Sequence, residues 1–599
     1  MKSIYFLPYT GVSKFDEINN RLKEKLQQIT TVVAIKIENE IPFASDISNF
    51  DAIEVIFVPT VFDPRNATSY QGVAFAIRIY LQLVTSNERL VTKIILLGNE
   101  DKAAFFENCN ESNFLKCPNV GYLPNSLEAI EAYLSKQQPK AFDKKEAINK
   151  LKSVGIKPPT SYKTHHSIAN EWSILRWAQA MQLDTKEIEE LSNIEKGIEN
   201  LLYYQYLKTI YPEKKVANTT LNLKNLGKIL LIDDEVQKGW NAIFKNLCKN
   251  QDYESIGNKF KGMGQAKIIN EAFNKAIKAD VVILDLRLHD DDFEEGVDIK
   301  NITGYQILKK IKAHNKGIQV IIFSATNKIW NLQALQKAEA DGFIIKEAPE
   351  NSQDPDFTKN AIENMIKTID GCLEMKFLKG VYEEILIINN VILRTDNEKN
   401  TKLKELKSDI KSSLKTAVYL SRSKQTLDFA LLNYIKILEQ YCNFFTEYDK
   451  TAQRAIVYKY KKDKFEKNNE VEIYKIIEVV ENNQPKNVIK SNYTYEKGFY
   501  DFQASQKRNE MQFIDYKTEI GQYDENPKFF SMSLKLVAVL DVQLGDMSKI
   551  KDLMELIYIR NNKLAHEGNL DDKKRWVTVD DIELIFGVLS KLMKKCLNN

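Results

Sequence analysis

Four short apolar runs between residues 228 and 346 set the frame of the chain. Lys228 to Asp234 reads KILLIDD, Val281 to Asp285 reads VVILD, Val320 to Ser324 reads VIIFS, and Gly342 to Lys346 reads GFIIK. Segments with apolar residues at helical spacing separate them: Gln265–Ala279, Tyr305–His314 and Asn331–Ala340. Short apolar runs alternating with amphipathic helices predict a parallel sheet covered on both faces. Functional groups gather at the carboxyl ends of the strands in such sheets. Here each of the four runs ends in a chemically useful side chain.

The same alternation fills residues 1–140. SIYFLP, VVAIKI, AIEVIFVPT and KIILLG predict strands, and Asp16–Ile29, Val73–Leu83 and Ser126–Lys136 predict helices. NVGYLPNSLEAIEAYL then reads as a closing strand and helix. The strand ends carry Pro8, Tyr9, Pro59 and Thr60, with no acidic pair. Residues 141–226 predict a helical connector. In THHSIANEWSILRWAQAM, Trp172, Leu175 and Met181 are candidates for a packed core, while His166 and Asn170 are spaced to share a helix face. Asn200–Tyr211 reads as a second apolar helix.

Beyond residue 373 the pattern turns helical. Leu403–Tyr419, Thr426–Tyr448, Ser531–Leu544, Ile550–Ile559 and Asp580–Cys596 are the predicted helices. About 454–515 interrupts them with the strand-favouring RAIVYKYKKDKF and VEIYKIIEVV. Lys459, Lys461, Lys462, Lys464 and Lys467 interleave there with Tyr458, Tyr460 and Phe465. Such a ribbon suits either single-stranded RNA, by phosphate contacts and stacking, or a charged edge strand in water.

Composition narrows the classes. A length of 599 residues predicts three or four domains. The 85 basic and 82 acidic residues leave a net charge of +3, so any nucleic-acid surface has to be local. Six scattered cysteines without a CxxC pair suit a reducing cytoplasm and give no zinc site. The opening MKSIYFLPYTG lacks the apolar core of a signal peptide, and no apolar run is long enough to cross a membrane. A cytoplasmic protein without membrane association is therefore expected.

The central chemistry follows from the strand ends. Asp233, Asp234 and Asp285 at one sheet edge repel one another unless a positive charge sits among them. Mg²⁺ takes oxygen ligands and suits such a trio. Lys346 adds a second positive charge, and Ser324 a hydroxyl. An aspartate beside a dication, a lysine and a hydroxyl is equipped to receive a phosphoryl group.

This pattern resembles the response-regulator receiver domain, over about 120 residues. The resemblance implies that Asp285 is the phospho-acceptor. It implies that Asp233 and Asp234 hold Mg²⁺ with Asp285, and that the main-chain carbonyl of Arg287 adds a ligand. It also implies that Ser324 and Lys346 contact the phosphoryl group, that Phe343 is the aromatic switch, and that a histidine kinase or similar donor is the partner. Two features depart from the family. Glu347 stands where proline is usual, and the loop LRLHDDDFEEGVDIKNITG is long and acidic. Asp290, Asp291, Asp292, Glu294 and Glu295 in it read first as a solvated loop. Residues 1–140 resemble a degenerate receiver-like or Rossmann-like sensor, with a nucleotide-sensing domain as the alternative. The His-x-x-x-Asn of His166 is similar to some histidine-kinase dimerisation helices, but a packed helix is the expected role.

The second chemical pattern lies near the tail, in YIRNNKLAHEGN. Arg560 suits clamping a phosphodiester, and His566 can exchange a proton near neutral pH. Together they suit metal-free attack of a ribose 2′-hydroxyl on its own phosphate. Arginine, five residues, then histidine, with Asn561 after the arginine, resembles HEPN ribonucleases. That resemblance implies a homodimer, RNA as partner, no metal, and 2′,3′-cyclic phosphate ends, with Glu439 and Glu567 as possible assistants.

The expected architecture is thus multidomain: a degenerate α/β domain (1–140), a helical connector (141–226), a complete doubly wound receiver domain (227–372), and an all-α HEPN-like bundle with a small β insertion (373–599, insertion about 454–515). The expected function is a phosphorylation-regulated endoribonuclease in stress or phage defence. The rival is a signalling protein whose helical domain only dimerises or binds RNA or protein.

Overall fold

The computed structural model describes the chain apart from residues 1, 10–12, 37–52, 64–68, 87–88, 137–140, 157–164, 185, 187, 195–200, 213–214, 217–220, 295, 326–328, 349–353, 355, 396–399, 459–469, 482–483, 492, 495–502, 505–511, 516–531, 547, 561–575 and 598–599.

Residues 3–134 form the first sheet, with β1 (Ser3–Tyr9), β2 (Thr31–Lys36), β3 (Val55–Pro59), β4 (Lys93–Gly98) and β5 (Val120–Pro124) in the order β2-β1-β3-β4-β5. All four pairings are parallel. Helices α1 (Ser13–Leu26), α2 (Gln71–Ser86) and α3 (Leu127–Leu134) lie between and after the strands. The order 2-1-3-4-5 is the flavodoxin-like one, not the 3-2-1-4 order of dinucleotide-binding folds. Of the two expectations for this domain, the receiver-like one matches the strand order.

The connector supplies α4 (His165–Met181) and α5 (Leu202–Ile210). Trp172, Leu175 and Met181 are buried, as the apolar spacing predicts. The side chain of His166 lies outside the described residues.

The central sheet repeats the first one. Its strands are β6 (Lys228–Ile232), β7 (Asp252–Ile256), β8 (Val281–Leu284), β9 (Gln319–Ser324) and β10 (Gly342–Ile345), in the order β7-β6-β8-β9-β10 and all parallel. The helices are α6 (Trp240–Leu247), α7 (Gln265–Ala276), α8 (Thr303–His314), α9 (Ile329–Lys337) and α10 (Phe357–Glu374). Side chains alternate between faces with period two. Ile229, Leu231, Val281, Ile283, Ile321 and Phe323 join one core, and Leu230, Ile232, Val282, Leu284, Val320 and Ile322 join another. The first of these cores does not stop at the central domain. It runs through Trp172, Trp177 and Tyr204 of the connector to Phe75 and Ile79 of α2. The first domain, the connector and one face of the central sheet therefore share one apolar core.

The C-terminal part has its own core. Its helices are α11 (Phe377–Ile387), α12 (Thr401–Leu420), α13 (Leu427–Phe445), α14 (Met532–Val539), α15 (Ile550–Ile559) and α16 (Val579–Cys596). The interruption is a five-stranded antiparallel meander: β11 (Thr446–Asp449), β12 (Arg454–Tyr458), β13 (Glu470–Glu481), β14 (Gln484–Ser491) and β15 (Gln512–Asp515). Tyr458 corrects the reading of an exposed aromatic ribbon. It is buried, and its hydroxyl donates to Glu447, so it presents no stacking face. The five lysines of that ribbon, with Tyr460 and Phe465, lie outside the described residues.

The helical part attaches to the central domain at the amino ends of its strands. Asn315 donates to the carbonyl of Lys379 at 3.0 Å, and Lys379 to that of Ala279 at 3.0 Å. Arg422 pairs with Glu339 at 3.0 Å and with Asp341 at 3.6 Å. The carboxyl ends of the same strands are left to the connector.

Candidate functional site

The carboxyl edge of the central sheet gathers the residues that the strand ends predict. Leu284 sits opposite both Ile232 and Ile322, so Asp233 and Asp285, one residue further along, emerge side by side. Ser324 pairs with Ile345, and the amide of Lys346 donates to the Ser324 carbonyl at 3.0 Å. Lys346 therefore enters from the strand beyond. Its ammonium nitrogen lies 2.7 Å from Asp285 Oδ2 and 2.8 Å from Asp233 Oδ2, and all three side chains are fully buried.

Two glycines let the main chain close around this pocket. Gly257 has φ +134°, and a Cβ there would stand 1.9 Å from the Asp233 carbonyl oxygen. At Gly304 a Cβ would stand 2.4 Å from the Asp285 carbonyl oxygen and 2.6 Å from Leu286 Cα. Loops carrying side chains at these positions would have to move away from both aspartates.

The electrostatics are lopsided. Oxygens of Asp233, Asp234 and Asp285 lie within 4.8 Å of one another, against one ammonium group. Burial pushes the Asp233 carboxyl above its usual range, although Lys346 pulls the other way. Burial, reinforced by Asp233 and Asp285, pushes the Asp234 carboxyl up to about 8. Burial works against the Lys346 charge, but the two aspartates outweigh it and hold its ammonium above the ordinary lysine range. Asp234 Oδ1 is buried with no hydrogen-bond partner among the described residues. An excess of carboxylates, one of them carrying a buried idle oxygen, is the donor set of a hard dication, so these residues fit Mg²⁺.

A stability test follows. Asp234 has a folded pKa above its unfolded one, so the folded state holds the extra proton. Its contribution to stability therefore falls as pH rises from about 4 to about 8 in the absence of metal. Asp234→Asn should stabilise the metal-free protein at pH 8 by about 1–2 kcal/mol. The same change should remove most of the gain that Mg²⁺ gives the wild type. Thermal unfolding with EDTA and with Mg²⁺ reads both effects.

The remaining residues are placed as follows. Ser324 is buried at the end of β9, and Phe343 is half-buried on β10 against the second apolar core. An aromatic floor lies under the lysine: its nitrogen is 4.7 Å from the centre of the Phe323 ring and 5.5 Å from that of Trp240. The acidic loop is a correction in part. Asp290, Asp291 and Glu294 are exposed, as a solvated loop requires. Asp292 is not: it is buried, and accepts from the amides of Leu288 at 2.9 Å, His289 at 3.0 Å and Thr303 at 3.0 Å. It ties the loop down instead of facing solvent.

Glu347 is the residue whose role the sequence hides. It is fully buried, and its Oε1 pairs with Arg176 Nε at 3.2 Å across 171 positions of chain. Its Oε2 accepts from Thr358 Oγ1 at 2.7 Å. The departure from proline thus anchors α4 of the connector.

The model of the response regulator receiver domain matches residues 229–353. That segment is a receiver domain. Receiver domains typically bind Mg²⁺ and take a phosphoryl group from a donor such as a histidine kinase, which agrees with the acidic pocket. No curated protein matches the chain. Among solved structures, the chain is similar to NtrX from Brucella abortus in complex with ATP (17% identity, TM-score 0.19, 33% of this chain and 40% of that one). It is similar to the complex of NtrX with ADP (17%, TM-score 0.20, 33% and 40%) and to a third NtrX structure (16%, TM-score 0.19, 38% and 48%). The chain thus spans less than half of those proteins. Among the described residues no helix is long and apolar enough to cross a membrane.

At the second predicted site the structure describes Arg560 and Glu439. Arg560 caps α15, is about one-third exposed, and its Nη2 lies 3.1 Å from Glu439 Oε1 on α13. Asn561, His566 and Glu567 lie outside the described residues.

Proposed function

We propose that the protein is a phosphorylation-controlled switch in which Asp285 accepts the phosphoryl group and the helical C-terminal part carries the response. The observation that carries this reading is Lys346, held 2.7 Å from Asp285 and 2.8 Å from Asp233 in a buried acidic pocket. A carboxylate oxygen of Asp285 attacks the donor phosphorus in line, the donor group leaves with its electron pair, and an acyl phosphate remains. Lys346 neutralises charge on the transferring oxygens, and Ser324 offers them a hydrogen bond. Asp233 and Asp234 would hold Mg²⁺, with Asp285 and the carbonyl of Arg287, and the ion would supply further charge neutralisation during the transfer. Phe343 is the aromatic switch in this reading. The test is phosphoryl uptake from acetyl phosphate with and without Mg²⁺, with the labelled residue identified by mass spectrometry.

The finer reading of the response is metal-free RNA cleavage by a homodimer. His566 would take the proton of a ribose 2′-hydroxyl while Arg560 and Asn561 hold the phosphate. The 2′-oxygen would then displace the 5′-oxygen, giving a 2′,3′-cyclic phosphate and a 5′-hydroxyl. The position of Arg560 at a helix end, partly exposed and steadied by Glu439, supports it. The same ion pair also supports the rival reading, in which Arg560 is structural and the bundle only dimerises or binds. His566→Ala decides between them. Cleavage should fall by about 100-fold or more if the histidine moves the proton. Unchanged RNA end groups would leave the binding module.

A further inference from the structure

Helix α4 straddles the acidic pocket. Three of its residues, spaced three apart, reach both lips: Asn170, Ser173 and Arg176, all buried. On the first lip, Asn170 donates to Glu235, two residues after Asp233. Asn170 Oδ1 also accepts from Trp240 Nε1 at 3.3 Å, and the Trp240 ring is part of the floor under Lys346. On the other lip, Ser173 donates to the Glu347 carbonyl at 2.5 Å, and Arg176 holds the Glu347 carboxylate. Arg176 Nη1 in turn donates to the Tyr211 carbonyl at 2.7 Å, just past α5. Helix α5 packs beside α2 of the first domain, within the shared core.

Lys346 and Glu347 are neighbours on one backbone with opposite duties. Lys346 turns into the pocket, and Glu347 turns to the connector. Phosphorylation of Asp285 turns a carboxylate of charge −1 into an acyl phosphate of about −2, which adds about one negative charge, spread over three further oxygens, beside Lys346 and redraws its pairing with Asp233 and Asp285. Any shift of Lys346 reaches Glu347 through one peptide unit. A fully buried ion pair is poorly screened, so it tolerates little displacement. The helical C-terminal part, by contrast, touches the opposite end of the sheet.

We infer that α4 reads the phosphorylation state of Asp285 through the Arg176–Glu347 pair and passes it to the first α/β domain, which is thereby an output of the switch and not only a sensor. This rests on the reading of Asp285 as the phospho-acceptor. Reciprocity follows: whatever binds the first domain and moves α4 changes phosphoryl uptake at Asp285.

The test is hydrogen–deuterium exchange on the full chain, with uptake at residue 285 measured in parallel by mass spectrometry. In the wild type, phosphorylation should change exchange in the peptide covering 170–181 by about threefold or more. In Arg176→Gln with Glu347→Gln, which leaves no charge at that contact, uptake should persist while the exchange change disappears. Label at residue 285 with unchanged exchange in 170–181 of the wild type overturns this inference alone. Absence of label at residue 285 overturns the phospho-acceptor reading and this inference with it. A double variant that takes up label and still shows the exchange change overturns the ion pair as the link.

Discussion

Asp285→Asn should take up no measurable phosphoryl group, a fall of at least about 100-fold against the wild type. The reason is geometric. Asp285 Oδ2 is fixed by Lys346 at 2.7 Å, and Oδ1 accepts the Leu286 amide at 2.6 Å, so this carboxylate is oriented before any donor arrives. Asp233 is oriented in the same way, by Lys346 at 2.8 Å and, through Oδ1, by the Glu235 amide at 2.8 Å, and it is the likeness to receiver domains that makes Asp285 the proposed acceptor. An asparagine at 285 keeps the shape and loses the nucleophile. Lys346→Met should also suppress uptake, by about 10²-fold, because its ammonium no longer offsets the charge of the two buried aspartates or of the transferring oxygens. Uptake by either variant at the wild-type rate would mean that the phosphoryl group goes elsewhere.

The second large effect concerns stability. Arg176→Ala leaves the Glu347 carboxylate fully buried beside Thr358 without its cation. Breaking one side of a buried pair costs about 3–5 kcal/mol, because a charge is then stranded in a poorly hydrated interior. The double change Arg176→Gln with Glu347→Gln should recover most of that loss, since no charge remains to strand. Arg176 and Glu347 lie in the layer that joins the first domain to the central one, so the two should lose stability together. Urea unfolding followed by tryptophan fluorescence reads this, because Trp172, Trp177 and Trp240 are all buried in that layer. A loss of less than about 1 kcal/mol in the single variant would show that water reaches Glu347.

Much of this architecture is written in the pattern of apolar residues. The strands β6, β8 and β9 are apolar runs buried along almost their whole length, β10 is a half-buried one, and the residues that end or follow them mark the pocket. The fifth strand, β7, was not legible, and the reason is its place. Asp252–Ile256 is an edge strand with no fully buried residue, so DYESI has no apolar run to show. The usable signal there was indirect: the gap between α6 and α7, and Gly257 where the main chain must approach Asp233. Asp292 looks like any other acid in an acidic loop until its backbone partners are seen. Glu347 was visible as a departure from the family pattern. Its partner was not, because a contact between positions 171 residues apart leaves no periodicity. Tyr458 was not legible as a buried residue because it closes a strand that is buried from Ala455 onward, although lysines follow it in sequence.

The first domain was legible as α/β from its runs, and its lack of acidic strand ends was legible too. What the sequence did not disclose is the layer that joins it to the receiver domain. Helices α4 and α5 are apolar on several sides, and such helices are buried between two partners. Their apolar spacing predicted burial without naming the partners, and the shared core supplies both.

The most direct measurement is chemical trapping of the phosphorylated residue. Full-length protein treated with acetyl phosphate and Mg²⁺, then reduced with borohydride, should yield homoserine at position 285 and nowhere else. Label at another residue, or none at 285 under conditions in which Mg²⁺ raises the unfolding temperature, would contradict the account.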